Sequence, residues 1–104
     1  MKHLLSSLKE KKRYLVYEAI DENINGEILI EIAKDVCNRF LGELGMAKAG
    51  VMFLEDNFDN KAVIKVNNKY VDEVRTALSL SEIPLRVVGV SGILKKAEEK
   101  FIGG

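Results

Sequence analysis

Two stretches of this 104-residue sequence hold side chains whose type and spacing could do chemistry. Near the start, Lys2, Lys9, Lys11, Lys12 and Arg13 face the single carboxylate Glu10, in a chain whose Lys+Arg 16 and Asp+Glu 16 cancel to a formal net charge of +0. Clustered Lys and Arg neutralise phosphates and release their counterions, so the block suits a phosphate backbone; it reads equally well as a solvated tail. Near the end, residues 87–101 read VVGVSGILKKAEEKF, with Ser91 and Gly92 between a strand pattern and a helix start. Backbone N–H groups at a helix N-terminus, approached past a glycine, hold phosphate, and Lys95 and Lys96 would add charge one turn later. A capped helix with a Lys95–Glu99 surface pair is the plainer reading of the same residues.

The other reactive side chains point away from catalysis. Glu55, Asp56 and Asp59 could hold a hard cation, but they border or lie in the DNFDN segment, where Asp and Asn are ordinary turn formers. His3 has no Cys or His nearby to share a metal, and Cys37 falls on an apolar helix face, where a thiol behaves as a small hydrophobe. No nucleophile with an adjacent base, no carboxylate pair and no Gly-rich nucleotide loop stands out, so neither a catalytic residue nor a metal site is expected. The neutral total excludes a binder that is basic over its whole surface. One cysteine cannot form an internal disulfide, and the apolar start, Leu4 and Leu5, is far too short for a secretory or membrane segment; a cytoplasmic location is expected.

Positioning these residues requires a fold, and 47% hydrophobic with 31% charged residues is the composition of one soluble domain with one core. The sequence divides into a basic leader (1–12), a core (13–91) and a final helix and tail (92–104). Arg13–Ile20, RYLVYEAI, reads as a strand. Asn25 caps a helix whose apolar positions Ile28, Leu29, Ile32, Ala33, Val36, Cys37, Phe40, Leu41 and Leu44 recur at steps of three and four until Gly45. The apolar run Met46–Glu55 and Lys61–Val66 read as a hairpin around DNFDN, a loop of about five residues. Asn67 and Asn68 supply a cap for a helix with Tyr70, Val71, Val74, Ala77 and Leu78 on its apolar side. Pro84 opens the strand LRVVGV, and a last helix spans 92–102.

Strand, helix, strand, strand, helix, strand with right-handed crossovers gives an α+β, ferredoxin-like βαββαβ sandwich, here with an added C-terminal helix. The strands are apolar on both sides, so the face not covered by the first two helices must be covered too, by the last helix, the leader or another chain. The topology is that of an RNA-recognition motif, but KAVIKV lacks its aromatics and glycines. Tyr14 and Tyr17, three apart in a strand, point to opposite faces and form no stacking platform. Fold alone selects no function. A small regulatory or ligand-sensing dimerisation module, ACT-like, would explain the apolar second face but would leave the basic leader without a role.

KKRYLVYEAI early and SGILKKAEEKFI late, at the two ends of this topology, resemble the ribonuclease P protein component 2 family, the accessory subunits of archaeal and eukaryotic ribonuclease P and MRP. The match spans the chain; from Asn25 to Leu85 it rests on element order and hydrophobic pattern, so no roles are carried over there. The resemblance implies a non-catalytic subunit of the ribonucleoprotein that removes the 5′ leader from precursor tRNA, with hydrolysis performed by the RNA through its own Mg²⁺. This chain would bind no cofactor. Implied partners are the catalytic domain of the RNA subunit and protein component 3, a TIM-barrel-like protein, in a heterotetramer with two copies of each; precursor tRNA would be contacted indirectly, and no membrane is involved. RNA contact maps by position onto Lys11, Lys12, Arg13, Ser91, Gly92, Lys95 and Lys96. Ile93 departs from the threonine common there in the family, so no hydroxyl contact is carried over to that position.

Overall fold

The computed structural model describes residues 11–58 and 60–102; the leader residues up to Glu10, and Asp59, lie outside the described part. Four strands, β1 (Lys12–Ala19), β2 (Met52–Phe58), β3 (Lys61–Asn67) and β4 (Leu85–Ser91), form one antiparallel sheet in the order β2-β3-β1-β4. Helices α1 (Gly26–Ala49) and α2 (Val71–Ser79) are the two crossovers, and α3 (Leu94–Phe101) follows β4. This is the ferredoxin-like arrangement with an extra helix. β1 lies at the centre, pairing Lys12–Glu18 with Asn67–Lys61 of β3 and Tyr14–Ala19 with Ser91–Leu85 of β4.

Alternation along β1 divides its side chains between two cores. Leu15 and Tyr17 join Leu29, Ala33, Val36 and Cys37 of α1 and Val74, Ala77 and Leu78 of α2, all buried. The Tyr17 hydroxyl donates to the Leu29 carbonyl at 3.3 Å. On the other face Val16 and Val63 are fully buried with Ala97 of α3, ringed by Tyr14, Leu54, Val88, Leu94, Phe101 and Ile102. Each fully buried valine contributes about 1.5 kcal/mol or more. Of the three coverings open to the second face, this chain uses its own last helix. The reason for a module that dimerises through an open sheet is thereby removed. Gly89 makes the close approach possible, because a Cβ there would overlap the Phe101 ring. Tyr14 and Tyr17 do lie on opposite faces.

The structure corrects several boundaries. Helix α1 passes through Gly45 and ends at Gly50, whose φ of 61° and ψ of 36° supply the left-handed cap, while Gly42 (φ 72°, ψ 169°) kinks it. Burial of Ala49 and packing of Met46 on the core draw the helix on past Gly45, so Met46 is helical rather than the start of a strand. Its apolar stripe is wider than the core uses, leaving Ile28, Phe40 and Leu44 exposed. The hairpin is tighter than five residues, because β2 continues through Phe58 by a shift of register after Leu54 and takes Glu55 and Asp56 into the strand. Helix α3 starts at Leu94 rather than at residue 92. Neither Asn67 nor Asn68 caps α2: Asn67 ends β3 and Asn68 starts a single 3₁₀ turn, Asn68–Tyr70.

At the far end of β1, Glu18 is buried between its cross-strand neighbours Arg86 and Lys61. The Arg86 Nε donates to its carboxylate at 3.1 Å, and the Lys61 ammonium lies at 3.4 Å. The Arg86 hydrogen bonds hold the Glu18 carboxyl below its ordinary value of 4.5; burial pushes the other way and Lys61 adds to Arg86. A carboxyl depressed on folding stabilises the fold above its unfolded pKa, and that contribution is lost as pH falls through the folded value. Glu18→Gln is therefore expected to cost about 1 kcal/mol at pH 7 in urea unfolding and to flatten the acid limb of the stability curve below pH 4.5, the parent and variant converging as pH drops.

Candidate functional site

The pairing of Tyr14 with Ser91 sets the start of β1 beside the end of β4, and with it the basic early segment beside the turn into α3. Lys11, Lys12, Arg13, Ser91, Gly92, Ile93 and Lys96 line one open groove of about 510 Å³. Six of the seven residues singled out in the sequence thus meet there; Lys95, exposed on α3, is not among the lining residues. Lys2 and Lys9 lie outside the described residues.

Neutral partners fix the cations. Lys12 and Asn67 are register partners, and the Lys12 ammonium donates to Asn67 Oδ1. Asn67 is 4% exposed and donates from Nδ2 to the Lys48 carbonyl at 3.1 Å, joining the last turn of α1 to the ends of β3 and β1. Gly50 leaves room for this amide, since a Cβ there would stand 3.0 Å from Asn67 Oδ1. Arg13 Nε donates to Asn68 Oδ1 at 2.9 Å, and the Asn68 N–H donates to the Lys11 carbonyl at 2.8 Å. Across the groove, Gly92 admits the Arg13 guanidinium: a Cβ would lie 2.8 Å from Nη1. Sequence reading missed both asparagines as positioning residues, because an Asn pair before a helical pattern has the signature of a cap.

The opposite wall is the Ser91–Ile93 turn, where the Ile93 N–H donates to Ser91 Oγ at 3.2 Å. Ile93 stands at the cap position of α3 with no side-chain hydrogen bond to the helix, and Lys96 follows within the first turn. The positive end of the helix dipole and four cations therefore bound the groove, and among the described residues no carboxylate lines it. Such a lining has the chemistry that a phosphate group requires. Among the described residues no group of His, Cys, Asp or Glu could hold a metal ion, and no helix is long and apolar enough to cross a membrane.

Cys37 is buried in the α1 core, where desolvation pushes its thiol up to about 11. Alkylation of the folded protein by iodoacetamide at pH 8 is expected to be at least tenfold slower than in 6 M guanidinium, since the thiolate is the nucleophile; equal rates in mass-spectrometric time courses would contradict the buried placement.

Residues 13–102 match the family model of the Rpp14/Pop5 family. The chain is 33% identical to ribonuclease P protein component 2 of Pyrococcus furiosus, over 97% of this chain and 91% of that protein. It is 35% identical to the protein of the same name from Methanosarcina acetivorans, over 98% of this chain and 82% of the other. In fold it resembles a chain in a cryo-EM structure of yeast ribonuclease MRP, with a TM-score of 0.51 and 18% identity, covering 80% of this chain and 75% of that one.

Proposed function

Because this chain belongs to the Rpp14/Pop5 family, we propose that it is an accessory protein subunit of ribonuclease P and that its basic groove binds the RNA subunit. One observation carries the site assignment: cations and a turn from opposite ends of the sequence converge on a single groove that, among the described residues, no acid lines. Its relatives bear the name of a ribonuclease P component, and the groove has the chemistry that an RNA backbone requires.

The action follows from counterion release. Lys11, Lys12, Arg13 and Lys96 neutralise phosphates that would otherwise repel one another, and so favour the compact form of the catalytic RNA domain at lower Mg²⁺. Gly92 and Ser91 let the backbone of the β4–α3 turn approach closely; Lys95 contributes from outside the groove. The chain holds no cofactor, and the Mg²⁺ that drives hydrolysis belongs to the RNA. Specificity for precursor tRNA rests with the RNA, and protein component 3 is the protein partner, two copies of each forming the protein assembly. The reading places the chain in the cytoplasm, where tRNA 5′ leaders are removed.

With the matching RNA at limiting Mg²⁺, adding this chain to RNA plus component 3 is expected to raise precursor-tRNA 5′ cleavage; no stimulation with competent partners would reject the subunit assignment. Replacing Lys11, Lys12 and Arg13 by Ala should weaken RNA association and flatten its log-log salt slope by up to about three units, one per lost phosphate contact. An unchanged slope in filter binding would remove these residues from the interface.

A further inference from the structure

The helix that closes the second sheet face does not cover it evenly. α3 lies over β4 and β1, where Ala97 packs with Val16 and Val63 and Phe101 seats on Gly89. Beyond that cover, register sets one residue from each strand side by side: Met52 opposite Lys65, Lys65 opposite Tyr14, and Tyr14 opposite Ser91. Tyr14 shares its face with Lys12, two positions before it. Since Lys12 and Ser91 both line the basic groove, this row continues the groove onto the sheet. Met52 is 55% exposed, and Lys65 and Tyr14 are half-buried.

The two tyrosines of β1 are held differently. Tyr17 is fully buried, with its hydroxyl bonded to the Leu29 carbonyl. Tyr14 packs against the second core on one side, and among the described residues its hydroxyl has no hydrogen-bond partner. Nor has Lys65 an ion-pair partner among them. A half-open tyrosine with two torsions to fix offers a flat ring at little entropic cost. A cation on the adjacent strand, about 4.8 Å across the sheet, adds a contact for an anion. Ring and ammonium side by side, running on from a basic groove, match the two halves of a nucleotide. A duplex hides the faces of its bases, so the base must be unpaired. With Tyr17 on the other face, the row has one ring and serves one base.

We infer that the row takes an unpaired nucleotide of the RNA subunit: its base stacks on the Tyr14 ring, and the adjoining phosphate meets Lys65. This rests on the reading that the basic groove binds that RNA, and it adds a contact of a different kind. The groove neutralises backbone charge; Tyr14 distinguishes a strand with a free base from a continuous helix.

The test is filter binding of the RNA subunit from the same organism to the full-length chain and three variants across a salt series, with thermal melting to check that each variant folds. Tyr14→Leu is expected to weaken binding about tenfold with the log-log salt slope unchanged, because stacking releases no counterion. Tyr14→Phe keeps the ring and should bind as the parent does. Lys65→Ala should flatten the slope by about one unit. Equal affinity of the parent and a folded Tyr14→Leu would overturn the inference and leave the subunit reading intact. Loss in Tyr14→Phe as large as in Tyr14→Leu would assign the effect to the hydroxyl and overturn the stacking. No binding of RNA to the parent would overturn the subunit reading itself. If Tyr14→Leu and Lys65→Ala weakened component 3 in calorimetry while RNA affinity held, the row would be a protein surface and the inference would fall.

Discussion

The antiparallel placement of β1 between β3 and β4 is the constraint on which everything else depends. Because Leu15 and Tyr17 enter one core while Tyr14 and Val16 face the other, a slip of one residue would exchange two sets of side chains selected for different neighbours. A slip of two would keep the faces but separate Arg13 from Gly92. Register is therefore specified twice, and the edge groove inherits that precision. The irregularity between Val16 and Tyr17, where the β4 partners step from Gly89 to Val87, brings the small residue opposite Val16, in the place where Phe101 needs room.

The two ends of β1 treat charge in opposite ways. At Glu18, one carboxylate pairs with both Arg86 and Lys61 and ties three strands together. At Lys12 and Arg13, the acceptors are the side-chain amides of Asn67 and Asn68, which orient the cations without cancelling them. An Asp at either position would hold the side chain as well and would remove the positive potential that the groove offers a phosphate. Asn67 does more than orient. Buried and bonded to the end of α1, it couples the position of Lys12 to the helix that closes the first core.

Much of this was legible in the sequence. Hydrophobic periodicity gave the order of elements and hence the topology, and the doubly apolar strands demanded a cover for the second face, which α3 supplies. The groove residues were legible as two separate local patterns, and only the crossover geometry could show that they meet. What sequence could not resolve were choices between chemically equivalent residues. Gly42, Gly45 and Gly50 are all credible helix stops, and tertiary burial of Ala49 decides for the last. Asn67 and Asn68 fit a helix cap as well as they fit an amide clamp, and the positions of Lys12 and Arg13 on the neighbouring strand β1 decide between them. Phe40 obeys the helical period of the core residues, and its exposure is visible only once α2 is in place.

The wide sequence separation across the groove also fixes when it comes into being. Contacts between β1 and β4 close a loop that contains nearly the whole fold, and such non-local pairings form after local ones. A ribosome that has translated α2 has already made Lys11, Lys12 and Arg13, yet their opposite wall does not exist until β4 pairs and Phe101 seats on Gly89. During synthesis the chain therefore presents its cations without the geometry that arranges them, and the ordered groove arrives in one late step. The groove serves as a completion mark: a chain stalled or cut before α3 lacks one of its walls.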